Sequence, residues 1–175
     1  MSWQVITYRL PAEPSRHRVA VWRELRRLGA VSLQQGAWAV PEGEPFEAGF
    51  AQVVEEIKAA GGQPVVLAVA DDQDSVAQLE ALFTAQREAE WGEFLSDCGK
   101  YEAELADEVA KGKLTLAELD EEEQSLDRLR RWHRELAARD VFGAPNAAEA
   151  GQQLKHCAER LADYTERVFR AVHQM

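Results

Sequence analysis

Apolar residues in the first part of the chain alternate between short runs with a spacing of two and longer runs with a spacing of three or four. The short runs are rich in β-branched and aromatic side chains, which favours strands, and the longer runs favour amphipathic helices. The predicted strands are residues 3–10, 31–34, 37–40 and 64–70, and the predicted helices are residues 15–28 and 46–60. This βαββαβ order predicts a ferredoxin-like domain, in which two helices cover one face of a four-stranded antiparallel sheet.

The predicted sheet is apolar on both of its faces. Trp3 and Trp38 lie in different strands, and residues 64–70 read PVVLAVA, a nearly continuous apolar run. Such a run is typical of a strand buried on both sides, so we expect the last strand to be buried. Because a two-sided apolar sheet needs a cover, we also expect the C-terminal half or a second subunit to pack on the face without helices.

From residue 75 onward the apolar spacing is helical throughout, which predicts an antiparallel bundle of three main helices. Gly99 is a possible interruption of the first of them. Three pairs of residues form capping boxes at predicted helix starts: Ser75 with Gln78, Thr115 with Glu118, and Asn146 with Glu149. The sequence therefore predicts an α+β protein with a ferredoxin-like domain at 1–70 and a helical bundle at 71–175.

Charge is distributed unevenly between these two parts. The chain contains 20 Lys or Arg and 31 Asp or Glu, for a net charge of -11. Residues 1–70 hold seven of each sign, so residues 71–175 hold 13 basic and 24 acidic side chains. An acidic surface repels nucleic acid at long range, so any DNA contact requires a local basic patch.

The N-terminal residues and the cysteine content suggest a cellular location. No basic segment followed by an apolar run opens the chain, and no apolar stretch approaches the 18 residues of a membrane span. The only cysteines are Cys98 and Cys157, both within helical patterns, which suits a reducing compartment better than a disulfide framework. We therefore expect a cytoplasmic protein without a membrane partner.

The first helix carries five arginines. Arg16, Arg23 and Arg27 share a solvent-facing stripe, Arg26 lies close to it, and Arg18 lies nearer the apolar edge. Clustered guanidinium groups are suited to bidentate binding of phosphate or a small oxyanion. The alternative interpretation is a solvated face whose charges pair with the acidic C-terminal half.

A second basic cluster lies near the end of a predicted acidic helix. Its members are Arg128, Arg130, Arg131, His133 and Arg134. Cations at a helix C-terminus are stabilised by the helix macrodipole, so we interpret this cluster as structural.

No arrangement of residues indicates a metal centre, a cofactor site or an enzyme. Cys98, His133, His156 and Cys157 contain suitable ligand atoms but are scattered, without metal-ligand spacing. We expect both cysteines to be packing residues, since helical cysteines at apolar positions usually behave as small buried hydrophobes. The chain also offers no activated nucleophile and no acid-base pair, so we expect no catalytic residues.

The strand order resembles that of CRISPR-associated nucleases with a related ferredoxin-like fold. Those nucleases carry an acidic residue near the end of the first strand, where this sequence reads Tyr8, Arg9 and Leu10. Metal-assisted cleavage of a phosphodiester needs carboxylates to hold the ion, so this pattern argues against nuclease activity.

A wider resemblance covers nearly the whole chain. Its N-terminal positions are Trp3, Tyr8, Leu10, Pro11, Pro14, Ser15, Arg18, Val21, Trp22, Arg23, Leu25, Gly29, Ala30, Gly36, Trp38, Pro41, Gly61 and Gly62. Its C-terminal positions are Tyr101, Leu114, Ala117, Leu119, Arg131, Trp132, Arg139, Asp140, Phe142 and Gly143. As a set these residues resemble the N-terminal domain of the chromate-resistance regulator family ChrB.

This resemblance implies a cytoplasmic protein that regulates chromate resistance by sensing chromate or by binding promoter DNA. Longer members of the family continue into a second domain, and the present sequence covers the first. Two classes of function therefore remain open. One is a regulatory module whose five arginines on the first helix contact DNA phosphate, chromate or another oxyanion. The other is a structural or protein-interaction module that forms a homodimer or docks a partner.

Overall fold

Six elements in the N-terminal part follow the predicted βαββαβ order, and three long helices follow them. The computed structural model describes residues 1–174. The elements are β1 Trp3–Thr7, α1 Ser15–Leu28, β2 Val31–Gln34, β3 Ala37–Pro41, α2 Glu47–Ala59, β4 Val65–Ala68, α3 Gln73–Ala110, α4 Leu116–Arg139 and α5 Ala147–His173. They form two compact units, Met1–Gln86 and Arg87–Met175. The α+β class is confirmed.

The four strands form one antiparallel sheet in the order β2-β3-β1-β4. Strand β1 lies inside the sheet, where Trp3 faces Pro41 of β3 and Gln4 faces Ala68 of β4. Directly opposed residues share a face of the sheet. Since Ile6 opposes Trp38, the Trp38 side chain lies on the face opposite to that of Trp3. This strand order is the ferredoxin-like topology that the sequence predicts.

A tight turn joins β2 to β3 and holds the end of β1 against the hairpin. Gly36 lies in this turn with φ of +73°, in the region that favours glycine. The Tyr8 N–H donates to the Gly36 carbonyl over 2.9 Å. A Cβ on Gly36 would lie only 2.6 Å from the Tyr8 carbonyl oxygen, so no larger residue fits without movement of the backbone.

Helices α1 and α2 pack against each other and bury their apolar sides. Val21 and Leu25 of α1 are buried, as are Val53 and Ile57 of α2. Gly49 of α2 permits the close approach, because a Cβ there would lie 2.7 Å from a methyl carbon of Leu28 on α1. The charged side of α1 therefore remains exposed while its apolar side is fixed.

The expectation of a buried last strand is wrong. β4 is an edge strand that, among residues 1–174, pairs only with β1, and Val65, Val66 and Leu67 are 52%, 44% and 52% exposed. An apolar run with strand propensity is equally compatible with a central strand and with an edge strand, because the run itself does not specify its neighbours in the sheet. The position of β4 thus leaves an apolar edge uncovered.

The first turns of α3 belong to the N-terminal unit. The ring of Phe83 packs edge-on against Trp3 at 5.9 Å and against Phe46 at 6.0 Å between centroids. Leu79 is also buried. The expected cover for the Trp3 face therefore comes from the C-terminal half, through the beginning of α3. The compact units divide after Gln86, within α3, whereas the sequence places the domain boundary at residue 70.

The second unit is built from the remainder of α3 with α4 and α5. Its core includes the edge-on ring pairs Trp91–Phe94 at 5.9 Å and Phe94–Trp132 at 5.4 Å. Cys98 and Cys157 are fully buried in the same core, as the prediction of packing residues requires. These contacts join side chains from three helices into the core that the helical periodicity predicts.

One of the three predicted capping boxes has the expected cap. The Glu118 N–H donates to Thr115 Oγ1 over 3.2 Å at the start of α4. The prediction for Ser75 is wrong, because α3 begins earlier and Asp72 Oδ1 accepts from the Ser75 N–H over 2.9 Å. The prediction for Asn146 is also wrong, since its side chain makes no capping bond. At the start of a helix, other acceptors compete with the side chain of the motif for the free backbone N–H groups. The spacing of the motif does not show which acceptor forms the bond.

Helix α3 also continues through Gly99 without the possible interruption. A helix interior tolerates one glycine at a cost of about 1 kcal/mol, which burial of the flanking apolar residues offsets.

A buried ionic network links α3 to the end of α4. Arg87 Nε lies 2.8 Å from Glu90 Oε2, and Arg139 Nη2 lies 3.2 Å from Glu90 Oε1. The Trp91 indole N–H donates to Asp140 Oδ2 over 2.9 Å. Breaking one partner of such a network leaves a buried charge without compensation, so these residues fix the packing of the bundle. This role accounts for Arg139 and Asp140 in the resemblance set.

Candidate functional site

A cleft lies between the end of β1, the first turns of α1 and the β2–β3 hairpin. Its volume is about 780 Å³. The side chains that supply its chemistry are Tyr8, Arg9, Arg18, Trp22, Gln34 and Trp38. No Asp or Glu of the described residues lines it. The cleft therefore combines positive charge with aromatic surface and has no carboxylate to repel an anion.

All five predicted arginines of α1 are exposed, and we call them the arginine surface. These arginines lie on two sides of the helix. Arg18 lines the cleft, and the Arg26 guanidinium lies 5.3 Å from the centroid of the Trp22 ring, a cation–π contact. Arg16, Arg23 and Arg27 are seven and four residues apart in sequence, so they share the other side of the helix.

The second side of α1 lies near α2. Arg23 lines a shallow hollow with Glu24 and Glu56, and Arg27 Nη1 lies 3.7 Å from Glu24 Oε1. Both partners of this ion pair are well exposed, so its contribution to stability is small. The predicted stripe of Arg16, Arg23 and Arg27 is therefore present, but carboxylates accompany part of it.

The alternative interpretation of this helix pairs its arginines with the acidic C-terminal half. Within the unit Met1–Gln86, Arg27 Nη1 pairs with Glu24 Oε1 of the same helix. Arg16, Arg18, Arg23 and Arg26 form no ion pair within 4 Å in that unit. Exposed guanidinium groups without a carboxylate partner remain available to an external anion.

The positive charge of the first unit is concentrated around this site. Residues 9–27 contain six arginines and two glutamates, although the whole chain carries a net charge of -11. This concentration supplies the local positive potential that the overall charge does not.

Tyr8 contributes a neutral donor to the cleft. Burial raises the pKa of its phenol, and a hydrogen bond with Trp38 offsets part of that rise. The phenol is therefore protonated at neutral pH and able to donate to an anionic oxygen.

Several cleft residues were not predicted as site residues from the sequence. Arg9 follows the first strand directly, and Trp22 lies four residues after Arg18 on α1, so both signals are visible in the sequence. The contribution of Gln34 depends on the hairpin, which folds back towards α1. Only the three-dimensional arrangement brings these residues together.

The second basic cluster makes local contacts. Arg130 Nη1 lies 3.4 Å from Asp127 Oδ1, and Arg128 donates to Ser125 Oγ over 2.7 Å. The His133 ring packs against Trp91 at 5.2 Å, and burial lowers the pKa of His133. These contacts agree with a structural interpretation of the cluster.

The remaining polar cluster surrounds the two cysteines. Cys157 Sγ lies 3.6 Å from the Cys98 carbonyl oxygen, and His156 Nδ1 contacts Glu102 Oε1. Within the described part of the chain, no group of three or more His, Cys, Asp or Glu residues is arranged to hold a metal ion. Nor does any helix between residues 1 and 174 combine the length and apolar character of a membrane span.

Comparison with known families places the chain in one of them. A family model described as "Protein ChrB, N-terminal" matches residues 18–175. The chain belongs to the ChrB N-terminal family. Protein ChrB of Cupriavidus metallidurans is similar to it, with 30% identity over 158 residues that cover 88% of this chain. The resemblance seen in the sequence is therefore confirmed, and the chain spans 44% of the length of that relative.

The match to the ChrB N-terminal family extends over most of the candidate site. It begins at Arg18 and therefore includes four of the five arginines of the arginine surface, together with Trp22 and the hairpin. Arg9 and Arg16 precede the matched range. The family match also covers α3, α4 and α5.

Proposed function

We propose that this protein is a non-enzymatic regulatory module of chromate resistance that binds the phosphates of promoter DNA through the arginine surface. The observation that carries the proposal is the exposure of five guanidinium groups on one helix, four of which form no ion pair within the unit Met1–Gln86. Membership of the ChrB N-terminal family supports the link to chromate resistance.

Phosphate contact explains how an acidic protein binds DNA. Arginine forms bidentate hydrogen bonds with phosphate oxygens, and each neutralised phosphate releases counterions, which strengthens binding at low salt. Phosphate contacts fix the position and orientation of a protein on the duplex without reading its sequence. The arginine surface therefore supplies affinity, and sequence preference would come from other contacts of the regulator.

Chromate would compete for the same groups. It is a tetrahedral dianion like phosphate, so the same guanidinium groups that hold a phosphate suit it by charge and geometry. In this proposal chromate weakens DNA binding by occupying arginines of α1. That competition would make the module responsive to the oxyanion as well as to DNA.

The test is a fluorescence anisotropy titration of the full chain with a labelled duplex from its own upstream region and with an unrelated duplex. The variant Arg23→Ala/Arg27→Ala is compared with the wild type, with and without chromate. We expect the variant to bind both duplexes more weakly by a similar factor, because phosphate contacts are independent of sequence.

A matched control is Arg128→Ala/Arg130→Ala. It removes the same number of positive charges from exposed positions of α4, whose contacts are local. The control is expected to bind DNA as the wild type does. Equal binding by the wild type and the α1 variant would remove the arginine surface from consideration as the DNA contact.

A second candidate function is self-association through β4. The edge strand exposes Val65, Val66 and Leu67, and an edge also presents backbone donors and acceptors that no other strand satisfies. Pairing of two β4 strands would satisfy those groups and cover the apolar side chains. In this proposal the protein is a homodimer, which is compatible with DNA binding by α1.

A further inference from the structure

The cleft is larger than a site for a small oxyanion requires. Its volume of about 780 Å³ lies within the range of roughly 300–1,000 Å³ that is typical of sites for small organic molecules. A phosphate or chromate ion would leave most of that space to water. The dimensions therefore favour a ligand in which an anionic group is attached to a larger body.

The lining supplies a distinct place for the anionic group. Arg9 and Arg18 both line the cleft, and neither forms an ion pair within 4 Å among the described residues. The neutral Tyr8 phenol lies in the same lining and adds a donor. Two guanidinium groups and a phenol match the acceptor oxygens of a phosphate group.

An exposed aromatic surface supplies a place for the body of the ligand. The Trp22 side chain lines the cleft and is 49% exposed. Arg26, which contacts the same ring at 5.3 Å, does not line the cleft and so holds the indole from outside it. Trp38 also lines the cleft but is only 4% exposed, so it contributes to the floor.

Polar groups at the hairpin complete the lining. Gln34 and Gln35 each carry an amide that both donates and accepts, and Ser32 adds a hydroxyl. Amides of this kind pair with the edge of a nucleobase, which also presents donors and acceptors side by side. A planar base on Trp22 would have such groups within the same cleft.

We propose that the cleft binds a nucleotide, with its phosphate on Arg9 and Arg18 and its base stacked on Trp22. This ligand goes beyond the proposed contact of α1 with duplex DNA, because a paired base within a duplex has no free face to stack. Two sources supply the same chemistry: a free mononucleotide, and an unpaired nucleotide of a single strand.

The experiment uses the full chain and isothermal titration calorimetry with four probes: AMP, adenosine, inorganic phosphate and the single strand d(A)8. The variants are Trp22→Ala and Arg18→Ala, with Arg128→Ala as the control. All three replaced side chains are exposed, so the variants are expected to fold, and circular dichroism verifies this.

We expect AMP to bind at least tenfold more tightly than inorganic phosphate. Trp22→Ala is expected to weaken AMP binding by about tenfold, since stacking of a base is worth roughly 1–3 kcal/mol. Arg18→Ala is expected to weaken AMP binding while leaving the weak binding of adenosine unchanged. If AMP binds and d(A)8 does not, the ligand is a free nucleotide. If both bind, a single strand is a second source of the ligand.

Equal affinity for AMP and phosphate, or unchanged AMP binding in Trp22→Ala, would overturn the proposal and leave an anion site only. Absence of AMP and d(A)8 binding would overturn it as well. The proposed contact with duplex DNA fails separately, through an unchanged duplex affinity in Arg23→Ala/Arg27→Ala. The two failures are therefore distinguishable.

Discussion

At the scale of single residues, the most unusual group is the Glu122 carboxyl on α4. The residue is 4% exposed, and its Oε2 has no hydrogen-bond partner among the described residues. Burial raises the pKa of Glu122 to about 7, and repulsion by Glu104, Glu108, Glu118 and Glu121 adds to the rise. A charged carboxylate in this position destabilises the folded state, so the side chain favours its neutral form.

The shift predicts a specific pH dependence for Glu122→Gln. In the unfolded chain Glu122 loses its proton near pH 4.5, and in the folded chain near pH 7. Between these values the unfolded state is increasingly favoured as pH rises, and the penalty reaches its full size about one pH unit above the folded-state pKa. The free energy of unfolding of the variant relative to the wild type should therefore rise between pH 5 and pH 8, by up to about 3 kcal/mol.

Urea unfolding at a series of pH values measures this difference. Glu123→Gln is the matched control, because Glu123 is the neighbouring carboxylate and is exposed. Its difference from the wild type should stay near zero. A difference for Glu122→Gln that is constant across the pH range would contradict the assignment of the raised pKa.

Single residues also show how far the sequence predicts the site. The five arginines of α1 are recognisable from composition and helical spacing, and all are exposed. The division between Arg18 on the cleft side and Arg23 on the α2 side follows from helical phase. The participation of Gln34 follows only from the fold, because it depends on how the hairpin packs relative to α1.

At the scale of elements, the start of α4 offers a direct test of capping. Thr115 Oγ1 accepts from the Glu118 N–H, whereas Asn146 at the start of α5 makes no side-chain cap. We expect Thr115→Ala to lower the free energy of unfolding by about 1 kcal/mol, because one donor of the first turn loses its partner. Asn146→Ala should change it by a few tenths of a kcal/mol at most.

Chemical denaturation of both variants measures these changes side by side. Equal losses of stability in the two variants would show that the Thr115 cap has no special role. The comparison also distinguishes a helix start whose side chain forms the capping bond from one that has only the spacing of the motif.

The sequence predicts the helices and strands themselves better than it predicts how far each of them is buried. The order of all six N-terminal elements follows from the spacing of apolar residues, since that spacing reflects which side of each element is covered. The exposure of β4 does not follow, because Val65–Ala68 reads as apolar whether it has one neighbouring strand or two. Boundaries also shift by a few residues, as at the end of β1, where pairing stops at Thr7.

At the scale of the whole molecule, the exposed apolar edge at β4 leads us to expect self-association. We expect the wild type to form a dimer in sedimentation experiments at micromolar concentration and Val65→Lys/Leu67→Lys to be monomeric, because charged edge strands resist pairing. The replaced side chains are exposed, so the stability of the monomer should change little.

The control is Leu33→Lys on β2, the opposite edge of the same sheet. Leu33 is similarly exposed, at 43%. It should leave the dimer intact. A wild type that is monomeric at all concentrations would contradict self-association through β4, and a dimer that both edge variants preserve would place the interface elsewhere.

The distribution of charge over the whole molecule determines how DNA binding is best tested. A chain with a net charge of -11 binds DNA only where the local potential is positive, and residues 9–27 hold that potential. If this segment binds DNA, the number of phosphates that it contacts is therefore small and countable. The dependence of affinity on salt counts them, since each contact contributes about 0.9 to the slope of log affinity against log salt concentration.

The most direct test of the arginine surface is this slope, measured by anisotropy with duplex DNA at several salt concentrations for the wild type and Arg23→Ala/Arg27→Ala. If both arginines contact phosphates, the slope of the variant is smaller in magnitude by about 1.8, the value for two contacts. Arg128→Ala/Arg130→Ala retains the slope of the wild type. Identical slopes for the wild type and the α1 variant would contradict phosphate binding by this helix.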